Sequence, residues 1–200
     1  KNNINDNIIK NVNIIVCTCI YKRYNLTKIC FRIWSKMNFF KIIVVYSFPA
    51  DFNNLKEFHD NNKFVFVKFK NKPISKKWNT CINEVKKYKC DAVMILGSDD
   101  IITDNYLYAC KLYIHHNYDY ITNTVWTTLN LEDNTISEFR YIRRAFTDGL
   151  GSGRVISKRL LNILNYNLYN FNLDKGLDGN SYKLFEKHIK LIKYDILYYN

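Results

Sequence analysis

Hydrophobic and polar residues follow two spacings along this chain, and each spacing predicts one kind of element. Four short, nearly continuous apolar runs rich in β-branched residues predict buried strands. They are residues 13–19, 41–48, 63–69 and 91–97. Between these runs, apolar residues recur every three or four positions, which predicts helices with one buried face. One such helix carries Leu26, Ile29, Cys30, Ile33, Trp34 and Met37, and another, which Ser75 is expected to cap, carries Trp78, Cys81, Ile82 and Val85.

The order of these elements predicts an α/β fold in one domain. Strands that alternate with helices build βαβ units, in which the strands pair in parallel and the helices cover both faces of the sheet. In the second half, residues 119–130 and 136–144 predict two strands joined by a turn, and residues 156–165 and 179–189 predict helices. We therefore expect a Rossmann-like, mostly parallel central sheet flanked by helices, with a small additional β element in the C-terminal half.

The composition is that of a globular domain with an excess of positive charge. Of the 200 residues, 48% are hydrophobic, and the formal net charge is +12. Lys, Asn, Ile and Tyr, whose codons are rich in A and T, dominate the sequence, so genome composition accounts for part of the basicity. Because the Lys and Arg residues are spread along the chain without a recognition motif, we do not expect a nucleic-acid partner.

Three further features bear on where the chain works. The longest apolar run, residues 41–48, is far short of the roughly 18 residues that a membrane span needs, so no transmembrane segment is expected. The six cysteines form no CxxC pair, and several occupy apolar positions of predicted strands and helices. This pattern favours reduced, buried thiols and a cytoplasmic location. Because the sequence lacks an initiating Met, we also expect a domain cut from a longer protein.

An acidic pair at the end of the fourth strand is the strongest chemical signal in this basic chain. The strand runs into Gly97 and Ser98 and then into Asp99 and Asp100. Ligands of open α/β sheets bind beyond the carboxyl ends of the strands, where these carboxylates are predicted to lie. Mn²⁺ or Mg²⁺ prefers carboxylate and phosphate oxygens, and a glycine lets a ligand approach the backbone closely. A turn or a helix start, where Asp caps the backbone, explains the same spacing equally well.

Three segments resemble the glycosyltransferase family 2 domain with its GT-A fold. Residues 76–103, KKWNTCINEVKKYKCDAVMILGSDDIIT, resemble the family's core, which has a Lys or Arg, a nearby Asn and a helix, then an apolar strand and an aspartate pair. Residues 14–34 resemble its first strand, nucleotide-contacting loop and first helix. Residues 151–179 resemble the acceptor-side segment of a subgroup with GSDD and GLD signatures, similar to compact glycosyltransferase domains of large DNA viruses. The resemblance covers about residues 13–188.

The resemblance implies a donor site for a nucleotide-sugar, with UDP as the expected nucleotide. The DXD-like motif of the family falls on Ser98, Asp99 and Asp100, so its first acidic position holds a serine here. By this resemblance Asp99 contacts the ribose, and Asp100 binds the Mn²⁺ or Mg²⁺ ion. Asp51, which follows the second strand, matches the position that reads the base.

Further donor contacts are implied on the loop after the first strand and at the start of the third helix. Thr18, Tyr21 and Arg23 match the positions that cradle the nucleotide. Tyr21 is expected to stack on the base and Arg23 to meet phosphate, although a solvated surface cation explains Arg23 equally well. Lys77 and Asn79 match the helix start, where the helix N-terminus and a cation both favour a diphosphate.

The same resemblance implies a general base for an inverting transfer. Such a transfer needs a group that takes the proton of the acceptor hydroxyl while its oxygen attacks the anomeric carbon. Members of the family place an Asp or Glu at a helix start well after the metal motif, and Asp178 in KGLDGNSY fits that place. Asp174 and Asp148 are the alternatives, and an ordinary helix cap is the non-catalytic explanation of Asp178.

At these residues the resemblance implies a metal-dependent inverting glycosyltransferase of the hexosyltransferase class, which moves a sugar from a UDP-sugar to a hydroxyl of a glycan or related acceptor. Residues 1–110 form the expected nucleotide-sugar-binding half and residues 111–200 the acceptor-side half of one domain, acting in the cytoplasm, or in the host cytoplasm for a viral protein.

Three alternatives stay open. The first is a GT-A-fold domain that binds without catalysing, and the second is a basic nucleic-acid-binding module. The third is a sugar-nucleotide nucleotidyltransferase, whose Gly-rich loop after the first strand has no counterpart in residues 17–25.

Overall fold

A seven-stranded sheet forms the centre of the computed structural model, which describes residue 9 and residues 11–140, 151–170 and 172–197. Its strands are β1 (Ile14–Cys19), β2 (Lys41–Tyr46), β3 (Phe64–Lys68), β4 (Ala92–Ile95), β5 (Tyr120–Asn123), β8 (Val155–Ser157) and β9 (Tyr194–Leu197), and β6 (Val125–Leu129) and β7 (Ile136–Arg140) form a separate pair. The order in the large sheet is β3-β2-β1-β4-β8-β5-β9. All neighbours pair in parallel except β8, which is antiparallel to β4 and β5. The prediction of a mostly parallel α/β sheet is confirmed.

Helices connect the strands and cover both faces of the sheet. They are α1 (Tyr24–Lys36), α2 (Pro49–Asn54), α3 (Ile74–Glu84), α4 (Asp104–His115), α5 (Lys158–Ile163) and α6 (Leu177–Glu186), with 3₁₀ turns at Lys56–Phe58, Val85–Lys87 and Ile189–Leu191. None of the helices in the described ranges is both long enough and apolar enough to cross a membrane.

The burial of strand β1 on both of its faces explains why its sequence is almost entirely apolar. Ile14 and Val16 point into a cluster with apolar side chains of α1 and α4 on one face of the sheet. Ile15 and Cys17 point into a second cluster with side chains of α3, α5 and α6 on the other face. A central strand that is buried on both faces has no solvent side, so its residues are apolar except for Thr18, whose side chain is buried.

The small additional β element is present, but the strand predicted over residues 119–130 is two separate strands. Residues 119–130 form β5, which joins the central sheet, and β6, which pairs antiparallel with β7 outside it. The predicted second strand ends at Arg140, and residues 141–144 lie outside the described residues. Strand β9, which pairs in parallel with β5, was not predicted from the sequence.

Three predicted helix starts were wrong. The helix predicted over residues 179–189 begins two residues earlier, at Leu177. The helix predicted over residues 156–165 begins only at Lys158, because the preceding residues form β8 and the Ser157 hydroxyl caps the helix by accepting from the Leu160 amide at 3.0 Å. The third helix begins before Ser75, which therefore does not cap it. The Ser75 hydroxyl instead accepts from the Leu173 amide at 3.0 Å, which ties the helix to a distant segment.

Lys111 is a buried cation on α4, with 3% of its surface exposed. Burial lowers its pKa to about 8, while the attraction of Asp91 acts in the opposite direction. The unfolded chain therefore keeps this proton to a higher pH than the folded chain. The buried charge destabilises the fold at and below pH 8, and the penalty fades as the pH rises toward the unfolded pKa near 10.5.

We expect Lys111→Met to raise the free energy of unfolding by about 1–3 kcal/mol at pH 7, because the charged form no longer has to be buried. The gain should shrink as the pH is raised toward about 9.5. Urea denaturation of both proteins across this range measures the difference, with the exposed Lys56→Met as the control. A gain that does not change with pH would show that packing, and not charge, is responsible.

Candidate functional site

The carboxyl ends of three neighbouring strands bring the predicted donor residues to one edge of the sheet. Strands β1, β2 and β4 are parallel neighbours, so the loops that follow them open on the same side. Antiparallel β8 adds residues 151–154 at this edge, because its first residue pairs near the end of β4. The Gly153 amide anchors this loop by donating to the Ile95 carbonyl at 2.8 Å.

Both carboxylates of the acidic pair fold back over Gly97. The Asp100 amide donates to the Gly97 carbonyl at 3.1 Å, and Asp100 Oδ2 accepts from the Gly97 amide at 2.8 Å and from the Ser152 hydroxyl. A Cβ on Gly97 would lie 2.5 Å from Asp100 Oδ2 and 3.2 Å from Asp99 Oδ1. Only glycine fits beneath the two carboxylates as they stand. Asp100 Oδ1 is left without a hydrogen-bond partner within the described part of the chain.

A cation from the loop after β1 compensates the other carboxylate. Arg23 Nη1 forms an ion pair with Asp99 Oδ2, and the Arg23 side chain is 69% exposed while that of Asp99 is 30% exposed. Arg23 immediately precedes α1, and both it and Lys22 have left-handed backbones, with φ of 52° and 57°. Residues other than glycine rarely adopt such φ values, and they concentrate at functional sites. Arg23 therefore bridges two loops and is not a separately solvated cation.

Asp51 ties the loops after β1 and β2 together from within. Its side chain is fully buried. Asp51 Oδ1 accepts from the Tyr24 hydroxyl at 2.9 Å and from the Lys22 amide at 3.5 Å. Asp51 Oδ2 accepts from the Ser47 amide at 3.1 Å and from the Phe48 amide at 3.0 Å. With both oxygens bonded to the protein, this carboxylate fixes the shape of the two loops.

Two exposed aromatic rings lie above this junction. Tyr21 and Phe48 are each 46% exposed, and their ring centroids are 5.9 Å apart with an interplanar angle of 51°. Exposed aromatic faces bind planar bases by stacking. The sequence prediction missed Phe48, because an apolar residue after a strand is read as part of the strand. Its position just before Pro49, which begins α2, marks it as a loop residue at the ligand-binding edge.

Lys77 is fully buried beneath the loop after β1. Its Nζ donates to the Ile20 carbonyl at 2.6 Å and to Asn71 Oδ1 at 3.2 Å. Burial lowers the pKa of Lys77, while the attraction of Cys19 and Asp51 opposes that change. The ammonium group is thus bonded to protein oxygens under the loop, where it holds the loop backbone in place.

Asn79 and Thr18 are buried as well. Asn79 Nδ2 donates to the Tyr169 carbonyl at 2.8 Å, and Asn79 Oδ1 accepts from the Tyr169 amide at 3.1 Å. The Thr18 hydroxyl has no hydrogen-bond partner among the described residues, and Ser98 is nearly buried. The predicted donor residues therefore form two layers, a buried layer that shapes the loops and a more exposed layer that carries Tyr21, Arg23 and the acidic pair.

Asp178 lies in the first turn of α6, with 64% of its side chain exposed. A Cβ on Gly151 would lie 2.5 Å from Asp178 Cγ, so the carboxylate rests against the glycine backbone. Arg154 Nη2 lies 3.2 Å from Asp178 Oδ1. Arg154 is itself buried, and it also donates to the Ser181 hydroxyl. A buried guanidinium thus holds an exposed carboxylate at a helix start.

One loop contacts both of the carboxylates predicted to do chemistry. Within residues 151–154, the Ser152 hydroxyl donates to Asp100, while Gly151 and Arg154 contact Asp178. The sequence did not predict the contact of Ser152 with Asp100, because the two residues lie 52 positions apart in the chain. A pattern within one segment carries no signal for such a contact.

The two alternative bases have different placements. Asp174 Oδ1 accepts from the Ile74 amide at 2.9 Å, so Asp174 caps the start of α3. Asp148 lies outside the described residues. Of the three aspartates proposed as a base, Asp178 is the one seen beside the loop that contacts Asp100.

The acidic pair fits a divalent cation that shares its ligands with a phosphate. Asp100 presents Oδ1, and Asp99 lies next to it. In the described ranges, no group of three or more His, Cys, Asp or Glu side chains could hold a metal ion. Mg²⁺ is usually held by one or two carboxylates together with substrate phosphates and waters, and hard oxygen ligands suit Mn²⁺ as well. The residues therefore suit an ion that arrives with a diphosphate.

Known proteins match this chain in fold but not in sequence. No protein-family profile and no curated protein sequence matches it. The structure of S. aureus TarS 1-349 matches with a TM-score of 0.67 and 14% identity over 93% of this chain, which spans only 58% of that structure.

Two smaller proteins match over most of their own length. The 4-diphosphocytidyl-2C-methyl-D-erythritol synthase from Anaerococcus prevotii matches with a TM-score of 0.61 and 12% identity, over 96% of this chain and 89% of that one. Rv0371c from Mycobacterium tuberculosis in complex with manganese matches with a TM-score of 0.57 and 9% identity, over 94% and 90%. These matches identify the fold as GT-A-like.

We expect Gly97→Ala and Gly151→Ala to damage the site more than the fold. The added Cβ meets carboxylate side chains, which can swing aside, so the loss of unfolding free energy should be about 1 kcal/mol or less. Gly97→Ala should abolish thermal stabilisation by UDP with Mn²⁺, because it displaces Asp100. Gly151→Ala should keep that stabilisation, because it displaces Asp178 instead.

Gly179→Ala is the matched control for both variants. The nearest atom to its added Cβ is 3.9 Å away, and the position lies inside α6. This variant should be more stable by about 0.5–1 kcal/mol, as for Gly→Ala in a helix, and should keep the UDP response. A UDP response that survives Gly97→Ala unchanged would contradict the role given to the acidic pair.

Proposed function

We propose that this chain is a metal-dependent, inverting transferase that moves a sugar from a nucleotide diphosphate, UDP in the first place, to a hydroxyl of a glycan or related acceptor. The observation that carries this proposal is the loop of residues 151–154, which contacts Asp100 and Asp178 at the same edge of the sheet. A cation-binding carboxylate and an exposed carboxylate held by one loop suit a reaction in which a diphosphate leaves and a proton is removed.

The donor half of the proposal rests on the exposed layer of the site. Tyr21 and Phe48 offer two rings for stacking on a base, and Asp99, which pairs with Arg23, takes the role of ribose contact. Asp100 would hold Mn²⁺ or Mg²⁺ against the diphosphate, and such an ion supplies charge stabilisation of the leaving group. The A. prevotii neighbour is named for a diphosphocytidyl product, and the M. tuberculosis neighbour was solved with manganese, which supports this chemistry.

The acceptor half of the proposal rests on Asp178. In the reaction the acceptor oxygen forms a bond to the anomeric carbon while the bond from that carbon to the diphosphate oxygen breaks on the opposite face. The acceptor hydroxyl proton passes to the Asp178 carboxylate. Arg154 and the backbone of Gly151 hold the carboxylate in place, and its 64% exposure leaves it open to an incoming acceptor.

A second candidate, nucleotidyl transfer, is favoured by one comparison, since the A. prevotii synthase matches this fold over 89% of its own length. A sugar-nucleotide nucleotidyltransferase of the kind considered above has a Gly-rich loop after the first strand. Here residues 17–25 contain no glycine. Release of pyrophosphate from a nucleoside triphosphate and a sugar phosphate would favour this candidate over sugar transfer.

Binding of UDP with Mn²⁺ should raise the melting temperature. A ligand at about 100 times its dissociation constant stabilises a protein by roughly 2.7 kcal/mol, which for a chain of this size is about 5–10 °C. Asp100→Ala should remove the shift, and so should EDTA. Asp60→Ala, which removes an exposed carboxylate far from the site, should keep it. No shift with UDP, GDP or other nucleoside diphosphates would overturn the donor site.

Asp178→Asn should abolish turnover without affecting the donor site. Loss of a general base typically costs about 10²- to 10⁴-fold in rate. Asp174→Asn is the matched control, because an asparagine oxygen can still accept from the Ile74 amide and cap α3. Release of UDP from a panel of UDP-sugars with simple glycoside acceptors measures the rate. Equal losses in both variants would contradict the assignment, and UDP binding with no turnover in the unmodified chain would favour a domain that only binds.

A further inference from the structure

Arg23 and Asp99 occupy each other in the structure without a ligand. The guanidinium comes from the loop after β1 and the carboxylate from the loop after β4, so their ion pair closes across the edge where the donor is proposed to bind. A ribose that hydrogen-bonds to Asp99 must share or break this ion pair. In either case the Arg23 guanidinium loses part or all of its bond to Asp99.

We propose that Arg23 changes partner when the donor binds, leaving Asp99 for the diphosphate, and that this exchange makes the site selective for nucleoside diphosphates over nucleosides. The inference rests on the proposed function and goes beyond it, because it names the residue that sets the ligand class. A nucleoside has to displace Arg23 and gives it no new partner. A nucleoside diphosphate displaces it and supplies phosphate oxygens in return.

Arg23 is the cation placed for this task. Among the described residues, Lys77 and Arg154 are two other cations of the site, and both are buried and bonded to protein groups. Lys22 lies over the Tyr21 ring, with its Nζ 5.1 Å from the ring centroid. The planar, forked guanidinium of arginine binds phosphate oxygens in pairs, which a lysine ammonium cannot do.

The surroundings of Arg23 favour a phosphate beside it. Arg23 occupies the N-cap position of α1 without a side-chain cap, and the first turn of this 13-residue helix holds no acidic residue. The positive end of the helix therefore adds to the arginine charge at the same place. Asp99 supplies the only carboxylate that pairs with Arg23 within the described residues.

The exchange requires only a side-chain movement. The Arg23 side chain is 69% exposed, and solvent screening makes ion pairs of such exposure weak. Asp51 holds the adjacent backbone through the Lys22 amide and the Tyr24 hydroxyl, so the loop keeps its shape while the guanidinium turns. An exposed side chain on a fixed backbone can change partners without unfolding the loop.

The test measures the affinities of two ligands for three proteins. We expect Arg23→Gln to change the two affinities in opposite directions. UDP with Mn²⁺ and uridine with Mn²⁺ are titrated into the unmodified chain, Arg23→Gln and Arg32→Gln, with dissociation constants from calorimetry for UDP and ligand-observed NMR for uridine. In Arg23→Gln, UDP should bind at least about tenfold more weakly, because charge-assisted phosphate bonds are lost. Uridine should bind about two- to fivefold more tightly, because Asp99 is already unpaired.

Arg32→Gln removes an exposed arginine that lies further along α1 and pairs with Glu57, so it leaves Asp99 and the Tyr21 ring untouched. It should leave the affinity for uridine unchanged. If Arg23→Gln weakens both ligands, strengthens both, or changes neither, the exchange of partners is wrong while the donor site stands. If UDP fails to bind even the unmodified chain and Arg32→Gln, the proposed function itself fails.

Discussion

Two adjacent carboxylates at the end of a buried strand repel each other, and the arrangement of the whole edge follows from how this repulsion is relieved. Asp99 is paired with Arg23 from the loop after β1. Asp100 accepts from the Gly97 amide and from Ser152 in the loop before β8. The compensation comes from three different parts of the chain, so the acidic pair can exist only where these loops meet.

The need to compensate each charge also explains which groups of the site are buried and which are exposed. Burying a cation is unfavourable unless oxygens surround it, and Lys77 and Arg154 each meet that condition beneath a loop. They hold the loop backbone and Asp178 in place, so the exposed residues above them need no further support.

The local pattern of the sequence was enough to predict the parallel strands β1 to β4, and with them the position of the acidic pair. Each strand is a continuous apolar run, and the carboxyl end of a parallel strand defines where a ligand binds. Strand β8 has only three residues, too few for a periodic signal. It inserts between β4 and β5, and both of these strands lie far before it in the sequence. The contacts of Ser152 and Phe48 depend on this long-range pairing and on loop geometry, so no single segment could reveal them.

Because Asp174 caps α3 from 100 residues further along the chain, this helix is completed late during synthesis. A ribosome delivers residues 1–110 well before Asp174, and until then the first amides of α3 lack this partner, as Ser75 lacks the Leu173 amide. Strand β8, which lies in the middle of the sheet between β4 and β5, also emerges late. An incomplete nascent chain therefore lacks the middle of the sheet and the loop of residues 151–154, and the candidate site is complete only when the last quarter of the chain has folded.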